Sequence, residues 1–342
     1  MKRGNIVKKK ILVLGATGAM GVYLIPELLN MGYMVDGVSV DDIKSDNIDL
    51  RYIKADATDI GFLSILLQNK YDGIVDFMIY PDKKKFETYM KLFLDNTKHY
   101  IYLSTYRIYA ESEVISEKSP RLLDVCDDKS LLSTGDYAIY KAECENELRV
   151  SKYTNYTIVR PAITYSKRRF QLTTLEANVL IYRMFENRTV VLPEGARNVQ
   201  ATMSWAGDVA KMIARLLFNE KAYTQTYSVC TSEHKTWGEI ADIYNKIYGL
   251  KCAWVNDEDY IDIVGGSIAA RNQLMYDREL NRVMDNSKIL EATGMKQSEL
   301  MPLEKGLSYE LSRLKKDDII PDFNINNDMD KYLTEHKDTK IC

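Results

Sequence analysis

The chain has 342 residues, of which 46% are hydrophobic and 28% charged, a composition typical of a folded globular protein. Its formal net charge of −3 offers no electrostatic footprint for nucleic acid, so no nucleic-acid partner is expected. No apolar run approaches the roughly eighteen residues that a membrane span needs, so no membrane association is expected either.

The remaining compositional signals concern compartment and metals. The basic start, with Lys2, Arg3, Lys8, Lys9 and Lys10, leads into an apolar strand and lacks the apolar core of a signal peptide. The five cysteines are scattered and odd in number, which indicates neither a disulfide framework nor a zinc site. The three histidines lie far apart in sequence, and no metal site is predicted. The expected compartment is a reducing cytoplasm.

The first half of the chain alternates short apolar runs with helical patterns, which predicts βαβ units and a parallel sheet. A polar stretch over about 110–135 is predicted to be a long loop. The predicted strands are 11–14, 34–40, 51–53, 73–79, 100–103 and 156–160. The predicted helices are 22–29, 62–67, 83–96 and 136–151.

The second half is less regular. Thr236 and Glu239 form a capping box, which predicts a helix that runs to about residue 248. From about residue 315 the sequence is polar and uneven, which predicts an extended or partly ordered tail. The other predicted elements are helices at 175–186 and 208–218 and strands at 189–192 and 225–230.

Residues 11–21 combine an apolar run with the three glycines Gly15, Gly18 and Gly21. The amphipathic stretch that follows predicts a buried strand, a glycine turn and a helix N-terminus. Such a turn lets backbone N–H groups and the helix dipole meet a pyrophosphate. The spacing is G-x-x-G-x-x-G rather than G-x-G-x-x-G, and a purely structural strand–helix turn is the alternative.

Candidate catalytic side chains come from two stretches. Tyr137 and Lys141 are four residues apart and share one helix face. An ammonium near a phenol favours the phenolate, which suits a tyrosine for general acid–base catalysis. Tyr140 is a rival tyrosine, and a solvated surface pair is the alternative interpretation. Ser104 and Thr105 stand at the carboxyl end of a central strand, where they either bind a ligand or only cap the strand.

In order and spacing, these stretches resemble the short-chain dehydrogenase/reductase superfamily, extended type, whose members mostly act on nucleotide sugars. The likeness runs from about residue 11 to about residue 310, and the stretch 72–80 is similar to a less characterised branch of NAD-dependent epimerases and dehydratases. The motifs are Gly-Ala-Thr-Gly-Ala-Met-Gly (15–21), Ala-Asp-Ala-Thr-Asp (55–59), Leu-Ser-Thr-Tyr-Arg-Ile-Tyr (103–109), Tyr-Ala-Ile-Tyr-Lys (137–141), Arg-Pro-Ala (160–162), Gly-Asp-Val-Ala (207–210) and Lys-Thr-Trp-Gly-Glu (235–239).

The resemblance implies an α/β fold, a Rossmann-type doubly wound parallel sheet with a smaller C-terminal substrate-binding lobe. Dimers are common in the superfamily, so a homodimer is expected; Met90, Phe93 and Leu94 either serve its interface or face the sheet. The implied divisions are an NAD-binding domain (8–168 and 199–231), a substrate-binding lobe (169–198 and 232–314) and a polar C-terminal tail (315–342).

The resemblance also implies roles for single residues. Asp56 would face the adenine, and Lys141 would support Tyr137 and hold the nicotinamide ribose. Tyr137 would move the proton of a sugar hydroxyl or ketone. Thr105 would hydrogen-bond the reacting carbon–oxygen bond, with Ser104 as the neighbouring alternative. The implied cofactor-binding residues are Gly15, Thr17, Gly18, Ala19, Met20, Gly21, Ser39, Asp41, Asp56, Ala57, Tyr80, Ser104, Tyr137, Lys141, Pro161 and Ala162.

The sequence departs from the family pattern near the cofactor. Ser39 stands where an acidic residue usually ends the second strand, with Asp41 and Asp42 just beyond. No arginine or lysine follows directly, and two carboxylates would repel a 2′-phosphate, so NAD is favoured over NADP. The fourth strand ends in Met-Ile-Tyr at 78–80 rather than in small residues, which implies a differently built pocket.

It also departs near the substrate. The usual arginine before Asp208, which helps hold the diphosphate, is replaced within 201–205. Guanidinium groups elsewhere either substitute for it or are solvated surface charges. The candidates are Arg168, Arg169, Arg183 and Arg197. Tyr106 and Arg107 stand where 4,6-dehydratases carry an acidic pair, which argues against that reaction.

The leading hypothesis is an NAD-dependent enzyme that modifies a sugar nucleotide, most simply an epimerase that acts through a transient ketone with Tyr137 as acid and base. One alternative is an NAD(P)-dependent reductase or dehydrogenase of a keto-sugar nucleotide or another carbonyl substrate. A second is a non-catalytic dinucleotide- or RNA-binding protein on the same fold, since relatives include chloroplast stem-loop-binding proteins and fold does not fix function.

Overall fold

The computed structural model describes residues 8–342, so Lys2 and Arg3 of the basic start lie outside the described residues. The strands are β1 (Lys10–Leu14), β2 (Met34–Ser39), β3 (Leu50–Lys54), β4 (Tyr71–Asp76), β5 (Thr97–Leu103), β6 (Tyr156–Pro161), β7 (Ile163–Tyr165), β8 (Gln171–Leu172), β9 (Leu175–Glu176), β10 (Thr189–Pro193), β11 (Gln200–Ala201), β12 (Met203–Trp205), β13 (Thr226–Val229), β14 (Lys235–Thr236) and β15 (Lys251–Val255). The helices are α1 (Gly21–Asn30), α2 (Ile60–Leu66), α3 (Lys83–Asp95), α4 (Leu122–Val125), α5 (Lys129–Ser133), α6 (Tyr137–Val150), α7 (Ala177–Phe185), α8 (Ala206–Leu216), α9 (Trp237–Tyr248), α10 (Asp257–Ile263), α11 (Ile268–Gln273), α12 (Ser287–Thr293), α13 (Leu303–Ser312) and α14 (Phe323–Glu335).

Seven parallel strands form the central sheet, in the order β13-β6-β5-β4-β1-β2-β3. β1 lies between β2 and β4, so the connections wind outward in both directions from this strand. A ligand crevice is expected at the carboxyl end of such a strand. This confirms the Rossmann-type doubly wound sheet that the family resemblance implies.

Both faces of the sheet are covered by helices. Ile11 and Val13 of β1 are buried with side chains of α1 and α8, while Leu12 and Leu14 are buried on the other face with side chains of α2, α3 and α6. A strand that is buried on both faces carries apolar residues at successive positions. For this reason apolar and polar residues do not alternate along β1.

The aromatic and aliphatic side chains of α3 face the sheet. Met90, Phe93 and Leu94 are buried, and the Phe93 ring lies 5.5 Å from the ring of Tyr100 on β5. They therefore form part of the chain's own core rather than an exposed surface, and a homodimer stays a prediction.

A second core lies among elements outside the seven-stranded sheet. It contains side chains of α7, α9, α10 and α13, and the parallel pair β10–β15. The predicted capping box at α9 is confirmed, because Thr236 Oγ1 accepts from the Glu239 N–H and Glu239 Oε2 accepts from the Thr236 N–H. No helix among residues 8–342 is long and apolar enough to cross a bilayer.

The prediction of an extended or partly ordered tail over 315–342 is wrong. These residues include α14, in which Met329 and Asn326 are buried. The Asp330 carboxylate pairs with Arg183 at 2.6 Å, and the last residue forms a backbone bridge with Cys252. Although this segment is mostly polar, one face of α14 is apolar and packs on the second core. That packing stabilises the helix.

Candidate active site

The glycine turn after β1 is closed by backbone contacts. The N–H groups of Gly15 and Ala16 donate to Val38 O at 3.1 and 3.0 Å, and Gly15 has a φ of +79°. A Cβ on Gly21 would lie 2.5 Å from the carbonyl oxygens of Gly15 and Ala16. Glycine is therefore required where the turn folds back onto the start of α1.

The N-terminus of α1 has free hydrogen-bond donors. Met20 at its N-cap makes no side-chain capping bond, and the first turn carries no acidic residue. Within residues 8–342, the backbone N–H groups of Ala19, Met20 and Gly21 find no acceptor. A ten-residue helix with unpaired N–H groups and its positive dipole end fits a pyrophosphate.

At the end of β2, Ser39 takes part in the turn itself. Its Oγ lies 2.6 Å from Thr17 Oγ1 and accepts from the Asp41 N–H at 3.1 Å. The Asp41 side chain is exposed, and the Asp42 carboxylate lies 3.5 Å from Lys54 Nζ. Two carboxylates and one lysine thus stand at the carboxyl edge of β2 and β3.

After β3, Asp56 is exposed and Ala57 is buried. Asp56 Oδ1 accepts from the N–H and the hydroxyl of Thr58 at 2.8 and 2.7 Å, and these hydrogen bonds hold the pKa of Asp56 below its ordinary value. The carboxylate therefore belongs to a local turn and leaves one oxygen open to solvent.

One cavity of about 530 Å³ collects the candidate catalytic residues. It opens between the glycine turn, the ends of β5 and β6, and the start of α6. The residues predicted for the site that line it are Met20, Ser104, Thr105, Tyr137, Pro161 and Ala162. The structure thus brings residues that are more than one hundred positions apart in sequence to a single place.

Lys141 lies behind this cavity. It is 1% exposed, and its Nζ donates to Leu103 O at 2.7 Å. The same Nζ lies 4.8 Å from the ring centre of Tyr102 and 5.9 Å from that of Tyr137. The ammonium is therefore fixed between the end of β5 and the ring of the candidate acid–base tyrosine.

The two neighbouring hydroxyl residues have different surroundings. Ser104 is 1% exposed, and its hydroxyl donates to Glu145 Oε1 at 2.6 Å. Thr105 Oγ1 accepts from the Arg107 N–H at 3.2 Å, which leaves its own proton free to donate. The geometry favours Thr105 over Ser104 as the group that meets a substrate.

The hydroxyls of two tyrosines near the site make hydrogen bonds within the protein. Tyr80, predicted to touch the cofactor, has a buried side chain stacked on Tyr89 at 4.1 Å, and its hydroxyl donates to Asp76 Oδ2 at 3.1 Å. Tyr140 accepts from the Tyr80 N–H at 3.3 Å, and burial raises its pKa far above the ordinary value. The side chain that lines the cavity here is Ile79.

Glu145 was missed by the sequence analysis. It is fully buried on α6, and Ser104 and Arg160 Nε donate to its Oε1 at 2.6 and 2.8 Å. Burial opposes its ionisation, but the Arg160 and Arg149 guanidinium groups and the Ser104 hydrogen bond together hold the pKa of Glu145 below its ordinary value. Because Ser104 precedes Thr105 and Arg160 precedes Pro161, Glu145 ties α6 to the ends of β5 and β6.

The arginines proposed as substitutes for the missing family arginine are dispersed. Arg169 lines the cavity, 3.8 Å from Glu176. Arg168 borders a different cavity, and Arg183 is buried against α14. Arg197 lines neither of these two cavities.

A buried cluster that sequence reasoning missed stands on the cavity wall instead. Arg107 Nε and Arg282 Nε lie 3.2 and 3.4 Å from the two oxygens of Asp277, which also pairs with Arg278. Burial opposes the ionisation of Asp277, but the three guanidinium groups hold its pKa below its ordinary value. Arg278 and Asp277 lie in a π-helical turn after α11, a geometry that the residue pattern did not reveal.

The sheet, the glycine turn and the grouping of Thr105, Tyr137 and Lys141 define a protein of the extended short-chain dehydrogenase/reductase type. The NAD dependent epimerase/dehydratase family matches residues 11–230, and the chain belongs to this family.

Individual relatives are distant. The chain is 22% identical over 258 residues to chloroplast stem-loop binding protein of 41 kDa b from Arabidopsis thaliana, over 71% of this chain and 64% of that protein. The chain thus spans less than two thirds of the length of this curated relative.

Solved structures show the same fold at low identity. UDP-glucuronic acid 4-epimerase from Bacillus cereus, in complex with UDP-glucuronic acid and NAD, is 18% identical, with a TM-score of 0.67 over 89% of this chain and 98% of that chain. UDP-glucose 4-epimerase from Thermus thermophilus, in complex with NAD, is 16% identical, with a TM-score of 0.65 over 89% and 98% of the two chains.

Proposed function

We propose that this protein is an NAD-dependent enzyme that modifies a sugar nucleotide, and that it acts as an epimerase through a transient ketone. The observation that carries the proposal is the single cavity in which the glycine turn, Thr105, Tyr137 and Pro161 meet. Family membership supports it, as do the NAD in both similar solved structures and the UDP-glucuronic acid in one of them.

The chain's own residues fit NAD. The free N–H groups at the start of α1 would hold the pyrophosphate, and Pro161 and Ala162 would lie against the nicotinamide. Asp41 at the end of β2 would receive the adenine ribose hydroxyls and repel a 2′-phosphate. When bound, NAD supplies a site that accepts a hydride from one carbon and can return it.

Tyr137 would carry the proton. Its deprotonated phenolic oxygen would take the proton of the reacting sugar hydroxyl as the carbon–hydrogen bond breaks, and the phenol so formed would give that proton back when the ketone is reduced on its other face. Thr105 donates a hydrogen bond to the same oxygen. The Lys141 ammonium, held by Leu103 O, keeps a positive charge 5.9 Å from the centre of the Tyr137 ring during the transfer.

The second lobe would hold the sugar nucleotide. Arg169 and Arg278 line the cavity, and the partly exposed Arg169 guanidinium suits a diphosphate. Tyr106 and Arg107 replace the acidic pair that a 4,6-dehydratase needs, so dehydration is disfavoured. A net reductase uses the same residues but consumes cofactor stoichiometrically, and a change in NADH absorbance during turnover would identify it.

The direct test is Tyr137→Phe. The variant should bind NAD with unchanged affinity but lose turnover of sugar nucleotides by at least about 100-fold, because it lacks the acid–base hydroxyl. Tyr140→Phe is the matched control and should retain turnover, since the Tyr140 hydroxyl meets the Tyr80 N–H rather than the cavity. Full activity in Tyr137→Phe would refute the mechanism.

A second candidate function is favoured only by the name of the Arabidopsis relative, a stem-loop binding protein. Binding of a labelled RNA stem-loop at physiological salt, undisturbed by NAD and by Tyr137→Phe, would support that function. The net charge of −3 argues against it, because non-specific RNA affinity depends on phosphate neutralisation.

A further inference from the structure

Two cavities meet at Arg107. The first is the cavity described above, here called the reaction cavity. The second, of about 650 Å³, is lined by residues 134–137 and by the α11 region from Ser267 to Gln273. Arg107, Tyr137 and Gln273 line both cavities, so the Arg107 side chain stands on their shared wall.

The guanidinium of Arg107 has unused donors. Its Nε lies 3.2 Å from Asp277 Oδ2, yet within residues 8–342 its N–H groups make no hydrogen bond. Its side chain keeps 16% exposure, toward the cavities that it lines. Arg278 and Arg282, in contrast, use their donors on backbone carbonyls and a tyrosine hydroxyl.

The cluster around Arg107 carries excess positive charge. Arg107, Arg278 and Arg282 share the single carboxylate of Asp277, and all but Arg107 are at most 2% exposed. Buried charge without a counter-charge is costly, so such a cluster favours an incoming anion. A guanidinium with free parallel N–H groups suits a carboxylate or a phosphate.

The position of Arg107 selects between these two anions. Its backbone N–H donates to Thr105 Oγ1, and its guanidinium carbon lies 5.4 Å from the ring centre of Tyr137. Both neighbours are the residues assigned to the reacting hydroxyl. An anion held by Arg107 therefore lies next to the reacting carbon, whereas the diphosphate of a sugar nucleotide is attached across the ring at the anomeric carbon.

Resting on the proposed function, we propose that the substrate is an acidic sugar nucleotide, whose sugar carboxylate binds Arg107 beside the reacting hydroxyl. In a hexuronic acid the carboxylate is carried by the carbon adjacent to C4, so C4 is the reacting centre. Arg169, which lines the same cavity and is partly exposed, remains for the diphosphate. Arg107 is then the residue that selects an acidic sugar over a neutral one.

The test measures equilibrium binding of UDP-glucuronate, UDP-glucose and UDP by calorimetry in the presence of NAD. The wild-type protein should bind UDP-glucuronate at least about 10-fold more tightly than UDP-glucose. Arg107→Gln should weaken UDP-glucuronate binding by about 10- to 100-fold and that of UDP-glucose and UDP by less than about 3-fold. Arg169→Gln, the matched control, should weaken both sugar nucleotides by a similar factor.

The outcomes separate the two proposals. An equal loss for all three ligands in Arg107→Gln would place Arg107 at the diphosphate and overturn this inference while leaving the proposed function intact. Absence of binding for every nucleotide would overturn the proposed function, and this inference with it. Should Arg107→Gln fail to fold, a wild-type protein without preference for UDP-glucuronate still overturns the inference.

Discussion

His99 makes stability depend on pH in a way that can be calculated. The side chain is fully buried on β5, its Nδ1 accepts from the Phe218 N–H at 2.8 Å, and its Nε2 meets Thr157 Oγ1 at 2.8 Å. The Thr157 hydroxyl donates to Ala222 O, so Nε2 must carry the proton that it shares with Thr157. The imidazole is thus held in its neutral form.

The magnitude follows from its pKa. Burial lowers the pKa of His99 from 6.5 to about 4. Above pH 6.5 the ring is neutral in both the folded and the unfolded chain, and no stability is lost. As the pH falls from 6.5 to 4, His99 becomes protonated in the unfolded chain but stays neutral in the folded chain. The free energy of unfolding is therefore lower by about 2 kcal/mol at pH 5 and by about 3 kcal/mol below pH 4.

The assay is urea unfolding of wild type and His99→Leu between pH 8 and pH 5, followed by tryptophan fluorescence. His99→Leu should be less stable at pH 8, because the Phe218 N–H loses its acceptor. Between pH 8 and pH 5 the free energy of unfolding should decrease in both proteins. The decrease should be about 2 kcal/mol smaller in His99→Leu than in wild type. His234→Gln, at an exposed histidine, should keep the wild-type profile. Parallel profiles for wild type and His99→Leu would refute the reasoning.

Three further predictions concern the candidate site. Gly21→Ala places a Cβ 2.5 Å from two carbonyl oxygens and should distort the glycine turn. NAD affinity, measured by fluorescence titration, should therefore fall by more than about 10-fold. Unchanged affinity would show that the pyrophosphate does not bind at this turn. Glu145→Ala leaves the Arg160 guanidinium buried without its carboxylate, so the free energy of unfolding should decrease by about 3–5 kcal/mol. An unchanged free energy of unfolding would show that Glu145 does not stabilise the contact of α6 with β5 and β6. Asp41→Ala should narrow the preference for NAD over NADP by about 10-fold, measured as a ratio of dissociation constants; an unchanged ratio would assign the discrimination to another residue.

Local patterns in the sequence predict much of the fold. The apolar run and glycines of residues 11–21 predict β1, the turn and α1, because backbone sterics and burial act over a few residues. The spacing of Tyr137 and Lys141 places both on one helix face for the same reason. Repetition of the βαβ pattern predicts the parallel sheet.

Tertiary contacts decide how neighbouring side chains are used. Ser104 and Thr105 are adjacent, chemically alike and both line the cavity, yet the Ser104 hydroxyl donates to the buried Glu145 whereas the Thr105 hydroxyl accepts from the Arg107 N–H. Tyr80 follows the end of β4, where a residue in contact with the cofactor is expected. Its hydroxyl, however, donates to Asp76 inside the core. Successive residues beyond a strand point in different directions, and only the packing around them fixes which one meets a ligand.

The sequence by itself therefore determined the βαβ units, the glycine turn and the helix face that Tyr137 and Lys141 share, because each depends on geometry within neighbouring elements. Only the tertiary structure brought Arg107 to Asp277 and Arg278, and only it turned residues 323–335 into a packed helix. Those arrangements join parts of the chain far apart in sequence. Their stability comes from burial and charge pairing that no local pattern records.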